Sequence, residues 1–190
     1  MRTLIIDNYD SFTCNLFHLL QLAAPKNETF EVLKNDEVCF SKLHKYHRIV
    51  ASPGPGLPCE AGSLLKIFTK IEDRVPYLGV CLGHQALAEA YGARLCQLPI
   101  PVHGGTSQVV INNKSSIFKH LNSYIIVARY HSWVVERNSL PCSFEIISET
   151  KTGIIMGLQH RNAPLYGVQF HPESFMTSCG LQILQNFYNL

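Results

Sequence analysis

Residues 76–92 read PYLGVCLGHQALAEAYG, and the stretch changes character at its middle. Up to Val80 it is apolar, as a strand buried on both faces must be. From His84 onward, Leu87, Ala88 and Tyr91 recur at helical spacing. Cys81 stands between the two halves with a glycine two residues to either side. A strand that reverses directly into a helix holds its apex residue in strained dihedrals, and flanking glycines remove side chains that would clash. Gly79-Val-Cys81-Leu-Gly83 thus has the form of a nucleophile elbow with sulfur in place of the serine oxygen. At the N-terminus of a helix, the macrodipole favours thiolate over thiol. Taken alone, the pentapeptide fits a cysteine in a glycine-rich turn equally well.

On either side, strands alternate with helices. Thr3–Ile6, Phe30–Leu33, Arg48–Ala51 and Tyr77–Val80 read as strands. Ser11 is expected to cap a helix carrying Phe12, Leu16, Leu19 and Leu20. A short polar helix falls around Ser41–Tyr46, and a longer one near Glu60–Glu72 turns Leu64, Leu65, Phe68 and Ile71 inward. This alternation predicts an α/β fold with three layers, a central mainly parallel sheet covered by helices on both faces. In the second half, Gln108–Ile111, Tyr124–Arg129, Glu145–Ser148, Ile154–Leu158 and Leu165–Val168 follow one another with only Ser116–Leu121 as a helical piece. Antiparallel strands are therefore expected to join the sheet or lie beside it, making it mixed. Gly180–Tyr188 closes the pattern as a helix. With 190 residues, no repeat and no long linker, one domain over residues 1–190 is expected.

Composition narrows the function classes. A net charge of +2 and the absence of a basic cluster argue against a nucleic-acid partner. The first apolar run is too short for a signal peptide, and none approaches the ~20 residues of a membrane helix, so no membrane association is expected. The seven cysteines are odd in number and form no CxxC pair. Free thiols in a reducing compartment, the cytoplasm, are the better reading, most of them packed as small buried hydrophobes. The nine histidines show no zinc spacing, so neither a metal site nor a cofactor is expected.

A cysteine nucleophile for acyl transfer needs a base, a group that orients the base, and donors for the oxyanion. Gly167-Val-Gln-Phe-His-Pro-Glu-Ser174 delivers His171 and Glu173 at the end of an apolar strand, with Pro172 stiffening the backbone between them. An imidazole can shuttle the thiol proton and a carboxylate can fix its tautomer. By itself His-Pro-Glu also reads as a surface turn. Ser52-Pro-Gly-Pro-Gly56 follows the strand Arg48–Ala51, and its glycines let backbone amides approach a ligand. Beside the elbow it could present one oxyanion donor, the amide of Leu82 being the other. Without the other motifs it reads as a proline-stiffened turn. It lacks the Gly-Lys-Ser/Thr ending of a phosphate-binding loop.

Together these pieces resemble the class I (triad-type) glutamine amidotransferase family. GVCLGHQ, SPGPG and GVQFHPES are its hallmark stretches, in its order, and the resemblance runs from Met1 to Leu190. Asp7-Asn-Tyr-Asp-Ser-Phe-Thr13 followed by Asn15-Leu16, and Arg129-Tyr-His-Ser132, look like the small subunits of anthranilate synthase and aminodeoxychorismate synthase. The resemblance implies that Cys81 attacks the side-chain amide of L-glutamine, forms a γ-glutamyl thioester and releases ammonia. His171 would act as base and then acid, with Glu173 orienting it. Gly54, Pro55, Gly56, Gln85, Ser132 and Trp133 match the family's glutamine-binding positions. The ammonia would pass through a protected channel to a chorismate-using synthase subunit. Nothing in the chain is left over for chorismate chemistry, so a separate partner is implied, facing a surface that includes the Asn8–Phe12 loop.

Two positions depart from the family pattern. His103-Gly-Gly105 stands where a His-Gly-Lys segment is common, and Trp133 stands where leucine usually follows Tyr-His-Ser. The segment from Ile154 to His160 and on to Gly167-Val-Gln looks somewhat more like the aminodeoxychorismate synthase subunits than the anthranilate synthase ones, and the resemblance also allows a subunit shared by both. Rival readings are a stand-alone cysteine γ-glutamyl hydrolase and a regulatory module that keeps the fold without the chemistry. Retention of Cys81, His171 and Glu173 argues against the last.

Overall fold

The alternation of apolar residues in Leu4, Ile5 and Ile6 sends successive side chains to opposite faces of a strand, and both faces are buried. This computed structural model, which describes residues 1–71 and 74–190, builds its sheet around that strand. The first half supplies β1 (Arg2–Asp7), β2 (Thr29–Lys34), β3 (Arg48–Ala51) and β4 (Tyr77–Val80), and the second supplies β5 (Leu95–Ile111), β6 (Tyr124–Val135), β7 (Phe144–Thr150), β8 (Ile155–His160) and β9 (Leu165–Val168). They form one nine-stranded sheet in the order β2-β1-β3-β4-β9-β8-β7-β5-β6. Strands β2 to β9 along that order pair in parallel, and the remaining pairings are antiparallel. The expected mixed sheet is what forms, and the later strands extend it rather than lying beside it.

Two apolar layers cover the faces. On one, Leu16 and Leu20 of α1 (Thr13–Ala23) and Ile183, Leu184 and Phe187 of α4 (Gly180–Tyr188) pack on Ile5, Val50, Leu78 and Val168. On the other, Leu64 and Ile67 of α2 (Leu64–Ile67) and Ala86 and Leu87 of α3 (Leu82–Ala90) pack on Leu4, Ile6, Ile49 and Leu165. Fully burying each such side chain contributes about 1.5–3 kcal/mol, so these layers hold the strand ends, and the loops on them, in place. Among the described residues no helix is long and apolar enough to cross a membrane.

Several boundaries differ from expectation, each for a local reason. Helix α1 starts at Thr13 with Phe12 at its N-cap, and Ser11 is exposed. The Asp7–Asp10 turn does the capping work instead: Asp10 Oδ1 accepts the Phe12 N–H at 2.7 Å, and the Thr13 hydroxyl donates to Asp7 Oδ1 at 2.8 Å. The helix expected near Glu60–Glu72 shrinks to a 3-10 turn at Pro58–Glu60 and the single turn of α2, and Glu72 lies outside the described residues. The pieces at Ser41–Tyr46 and Ser116–Leu121 are 3-10 turns, Phe40–Lys45 and Ser116–Phe118. Strand β5 reaches back to Leu95 through Pro99, Pro101, Gly104 and Gly105, residues that break a strand in a flat sheet. It tolerates them because its pairing with β6 is interrupted by irregularities between Gln97 and Val102 and between His103 and Gly105. The cysteines also differ from expectation. Cys81 is buried and Cys179 partly so, but Cys14, Cys39, Cys59, Cys96 and Cys142 are exposed, and all seven are free thiols.

Candidate active site

Strand β4 ends at Val80 and α3 begins at Leu82, which leaves Cys81 to make the whole turn. Its φ of 51° and ψ of −98° lie where a non-glycine residue is strained, as an elbow requires. The neighbouring glycines answer a steric demand. A Cβ on Gly79 would lie 2.3 Å from the carbonyl carbon of Gly83, and one on Gly83 would lie 2.7 Å from the Ala51 carbonyl oxygen. The buried Tyr77 hydroxyl donates to the Gly83 carbonyl at 2.9 Å, and the Cys81 N–H donates to Val168 O at 2.8 Å, pinning the elbow to its own strand and to β9. His84, in the first turn of α3, is fully buried against Gly167 of β9. Burial lowers its pKa to about 4, so its ring is neutral.

The segment after β9 brings the second motif to the same place. His171 pairs with Ala128 of β6 through an isolated bridge, its N–H donating to Ala128 O at 3.1 Å. Nδ1 of His171 lies 2.6 Å from Oε1 of Glu173, with the two side chains 3% and 0% exposed. A carboxylate can only accept, so Nδ1 carries a proton and Nε2 is the nitrogen left for exchange. Burial disfavours the imidazolium, but the Cys81 sulfur and the Glu173 carboxylate outweigh it and push the His171 pKa up to about 10. Two aromatic rings cover the imidazole: Tyr130 with centroids 5.0 Å apart and Phe12 at 6.0 Å. Phe12 and Tyr130 also touch each other.

In front of the sulfur lies a cavity of about 390 Å³, bordered by Gly54, Pro55, Gly56, Cys81, Gln85, Ser132 and Trp133 and overhung by Gln97 and Pro101–His103 of the β5 ribbon. Its volume falls in the range of small-molecule sites. Every residue expected to bind glutamine borders it except Leu82, which is buried beneath. Leu82 nevertheless meets the Ser52–Gly56 loop, since a Cβ on Gly54 would lie 2.7 Å from Leu82 Cδ2. The loop is held from behind by Asn8, whose N–H donates to Ser52 Oγ at 2.9 Å and whose Nδ2 donates to Ser52 O at 2.7 Å. His171 and Glu173 are buried and do not line the cavity.

Sequence reasoning missed three side chains here. Gln169 is fully buried with Nε2 3.5 Å from Cys81 Sγ, and alternation along an extended segment, which puts residues 169 and 171 on one side, was the available signal. His131 takes the Arg129 Nε–H on its Nε2 at 3.0 Å and donates from Nδ1 to Trp133 O at 3.1 Å. Burial and the Arg129 charge lower its pKa to about 3. Tyr130, next to it, walls both the cavity and the imidazole.

A strained buried cysteine, an imidazole at its back and a carboxylate orienting that imidazole suit covalent acyl chemistry on a small ligand. The family model for "Glutamine amidotransferase class-I" matches residues 4–190. The chain belongs to the class-I glutamine amidotransferases. It is 39% identical over 186 residues to the aminodeoxychorismate/anthranilate synthase component 2 of Bacillus subtilis, covering 97% of this chain and 94% of that one. It is 42% identical over 191 residues to the bifunctional protein TrpGD of Thermotoga maritima, of whose length it spans only 32%. Among solved structures, a protein of Thermoplasma acidophilum described as a "putative gmp synthase subunit a protein" superposes with a TM-score of 0.87 at 27% identity, covering 100% of this chain and 92% of that one. The amidotransferase fold expected from the hallmark stretches is therefore the fold observed.

Proposed function

We propose that this amidotransferase hydrolyses L-glutamine and hands the ammonia to a synthase subunit that aminates chorismate. The observation that carries the reading is Cys81, at φ 51° and lining the cavity, whose sulfur interacts with an imidazole that Glu173 orients at 2.6 Å. The Cys81 thiol passes its proton to His171, and the sulfur attacks the side-chain carboxamide carbon of glutamine, forming a C–S bond. Backbone amides of Leu82 and of the Gly54–Gly56 loop stabilise the oxyanion. His171 delivers its proton to the nitrogen as the C–N bond breaks, and ammonia leaves. Water then adds to the γ-glutamyl thioester, His171 takes a proton back, and glutamate departs with the thiol restored. Gln85, Ser132 and Trp133 hold the amino-acid end of the substrate in the cavity. No metal or cofactor is required by these steps.

Ammonia in water at neutral pH is mostly ammonium and carries no lone pair, which is the chemical reason for a shielded route to a partner. The Asn8–Phe12 loop belongs to the partner-facing surface in this proposal, and it has direct purchase on the site: Phe12 touches the His171 ring and Asn8 braces the Ser52–Gly56 loop. Aminodeoxychorismate synthase is the preferred partner on the Ile154–Gln169 resemblance, and anthranilate synthase is the second reading because the Bacillus subtilis relative carries both names. Seven free thiols suit a reducing compartment, and the cytoplasm is the proposed location. Purified protein assayed with each synthase decides the matter. Glutamine-dependent aminodeoxychorismate is the expected product, and glutamine-dependent anthranilate alone reverses the preference. Full glutaminase turnover with no partner present favours the stand-alone hydrolase.

A further inference from the structure

Gln169 has no part in the chemistry described so far, yet its side-chain amide lies within hydrogen-bond distance of the nucleophile. It is completely buried, and its Nε2 lies 3.5 Å from Cys81 Sγ, an ordinary N–H···S separation. Which end of the amide faces the sulfur is fixed by the neighbours. Trp133 O can only accept, so the Gln85 nitrogen faces it, at 2.8 Å. The second hydrogen on that nitrogen points to the Gln169 side-chain oxygen at 3.1 Å. The Gln169 oxygen is thereby used, and its NH2 is left for the sulfur.

We propose that Gln169 is a further catalytic residue, donating an N–H to the Cys81 sulfur and stabilising its anionic form alongside the His171 imidazole. The inference rests on the glutaminase reading for its role in turnover, but not for the contact itself. A hydrogen bond to an anion is stronger than one to a neutral thiol, so the donor favours the nucleophilic form before attack. The same bond joins the nucleophile to the cavity wall. Gln85 borders the cavity, and chains of hydrogen bonds polarise one another, so a ligand drawing on Gln85 or Trp133 alters the donor that Gln169 presents. Because the bond strengthens with charge on sulfur, its loss acts chiefly on kcat, and the smaller change in KM reports the Gln85 contact that the same substitution removes.

The test compares the wild type with Gln169→Met, which keeps the length and removes the donor, and Gln169→Glu, which replaces the donor with an acceptor. Iodoacetamide labelling of Cys81, followed by peptide mass spectrometry at neutral pH, should slow about 10-fold in Gln169→Met and more in Gln169→Glu, recovering at alkaline pH. With the synthase present, kcat for glutamine hydrolysis should fall about 10- to 100-fold while KM stays within about threefold. Folded Gln169→Met protein with unchanged labelling and unchanged kcat overturns the proposal. A measurement on the wild-type side chain serves where the variants do not fold. In chain labelled with ¹⁵N at glutamine, capping Cys81 with methyl methanethiosulfonate should shift the side-chain amide protons of Gln169, and a Gln169 pair that does not move overturns the contact. Wild-type complex that hydrolyses no glutamine sinks the glutaminase reading instead, while the labelling and amide shift still decide the role of Gln169.

Discussion

His171 and Glu173, two residues apart in sequence, face each other across 2.6 Å with both side chains buried. Proline between them and the bridge from His171 to Ala128 hold them in that pose, so little ordering entropy is spent when the site acts. The carboxylate both selects the tautomer that leaves Nε2 free and raises the imidazole's proton affinity.

Glu173→Gln should therefore cut glutamine hydrolysis about 100-fold or more, with far less effect on KM. Removing the carboxylate lowers the His171 pKa, so the alkaline limb of the kcat profile should move to lower pH. A profile that keeps its wild-type limb would mean that Glu173 does not set the proton affinity of His171.

Gly180 supports the same pair from the far side. A Cβ there would lie 1.9 Å from the Pro172 carbonyl oxygen, and backbone cannot step aside as a flexible side chain can. Gly180→Ala is expected to displace the His171–Glu173 segment and depress kcat by at least about 10-fold. Thermal melting should show a loss of about 1–3 kcal/mol, the usual cost of an overpacked site. Wild-type turnover in this variant would show that α4 is not what fixes the segment.

The buried histidines make an acid-side prediction. His84 is held near 4 against an ordinary 6.5, so the folded state binds fewer protons than the unfolded one as pH falls. Its contribution is complete above pH 6.5 and is lost as pH falls through 4, on the order of 3 kcal/mol. His131 adds a loss of the same sign, continuing to lower pH. His171 is shifted the other way, so its contribution is complete below 6.5 and lost as pH rises through about 10. Denaturant unfolding between pH 7 and 4 should show declining stability, with a shallower decline in a His84→Gln variant. Equal slopes would contradict the assignment.

How much of this could be read from the chain follows from where the physics is local. Strands Arg48–Ala51, Tyr77–Val80 and Leu165–Val168 and helix Gly180–Tyr188 form as expected because their apolar pattern and their turn residues agree. The elbow is equally local: Gly79 and Gly83 sit in register with the space they must leave empty. The long β5–β6 ribbon could not be read, because Pro99, Pro101, Gly104 and Gly105 signal loop and only the partner strand makes them tolerable. The exposed cysteines were misjudged because residue type says less about burial than the face it falls on. Gln169 was hidden because its importance lies in contacts with Cys81 and Gln85, both more than eighty residues away.

A control separates site from scaffold. Arg48, at the opening end of β3 and away from the elbow, is buried with Glu28 at 3.7 Å and donates to Tyr188 O at 2.9 Å. Arg48→Met leaves Glu28 uncompensated and should destabilise the fold by about 3–5 kcal/mol while kcat at a permissive temperature stays within about twofold. A fall in kcat matching that of the Glu173 variant would mean that activity tracks stability and not the site.

The nucleophile can be tested most directly by treating the protein with an electrophilic glutamine analogue and mapping the adduct by mass spectrometry. A single label on Cys81, blocked by excess glutamine and absent from Cys81→Ala, is the expected result, although five other cysteines are far more exposed. A label that glutamine cannot protect, or one that settles on another cysteine while Cys81→Ala still hydrolyses glutamine, would contradict it.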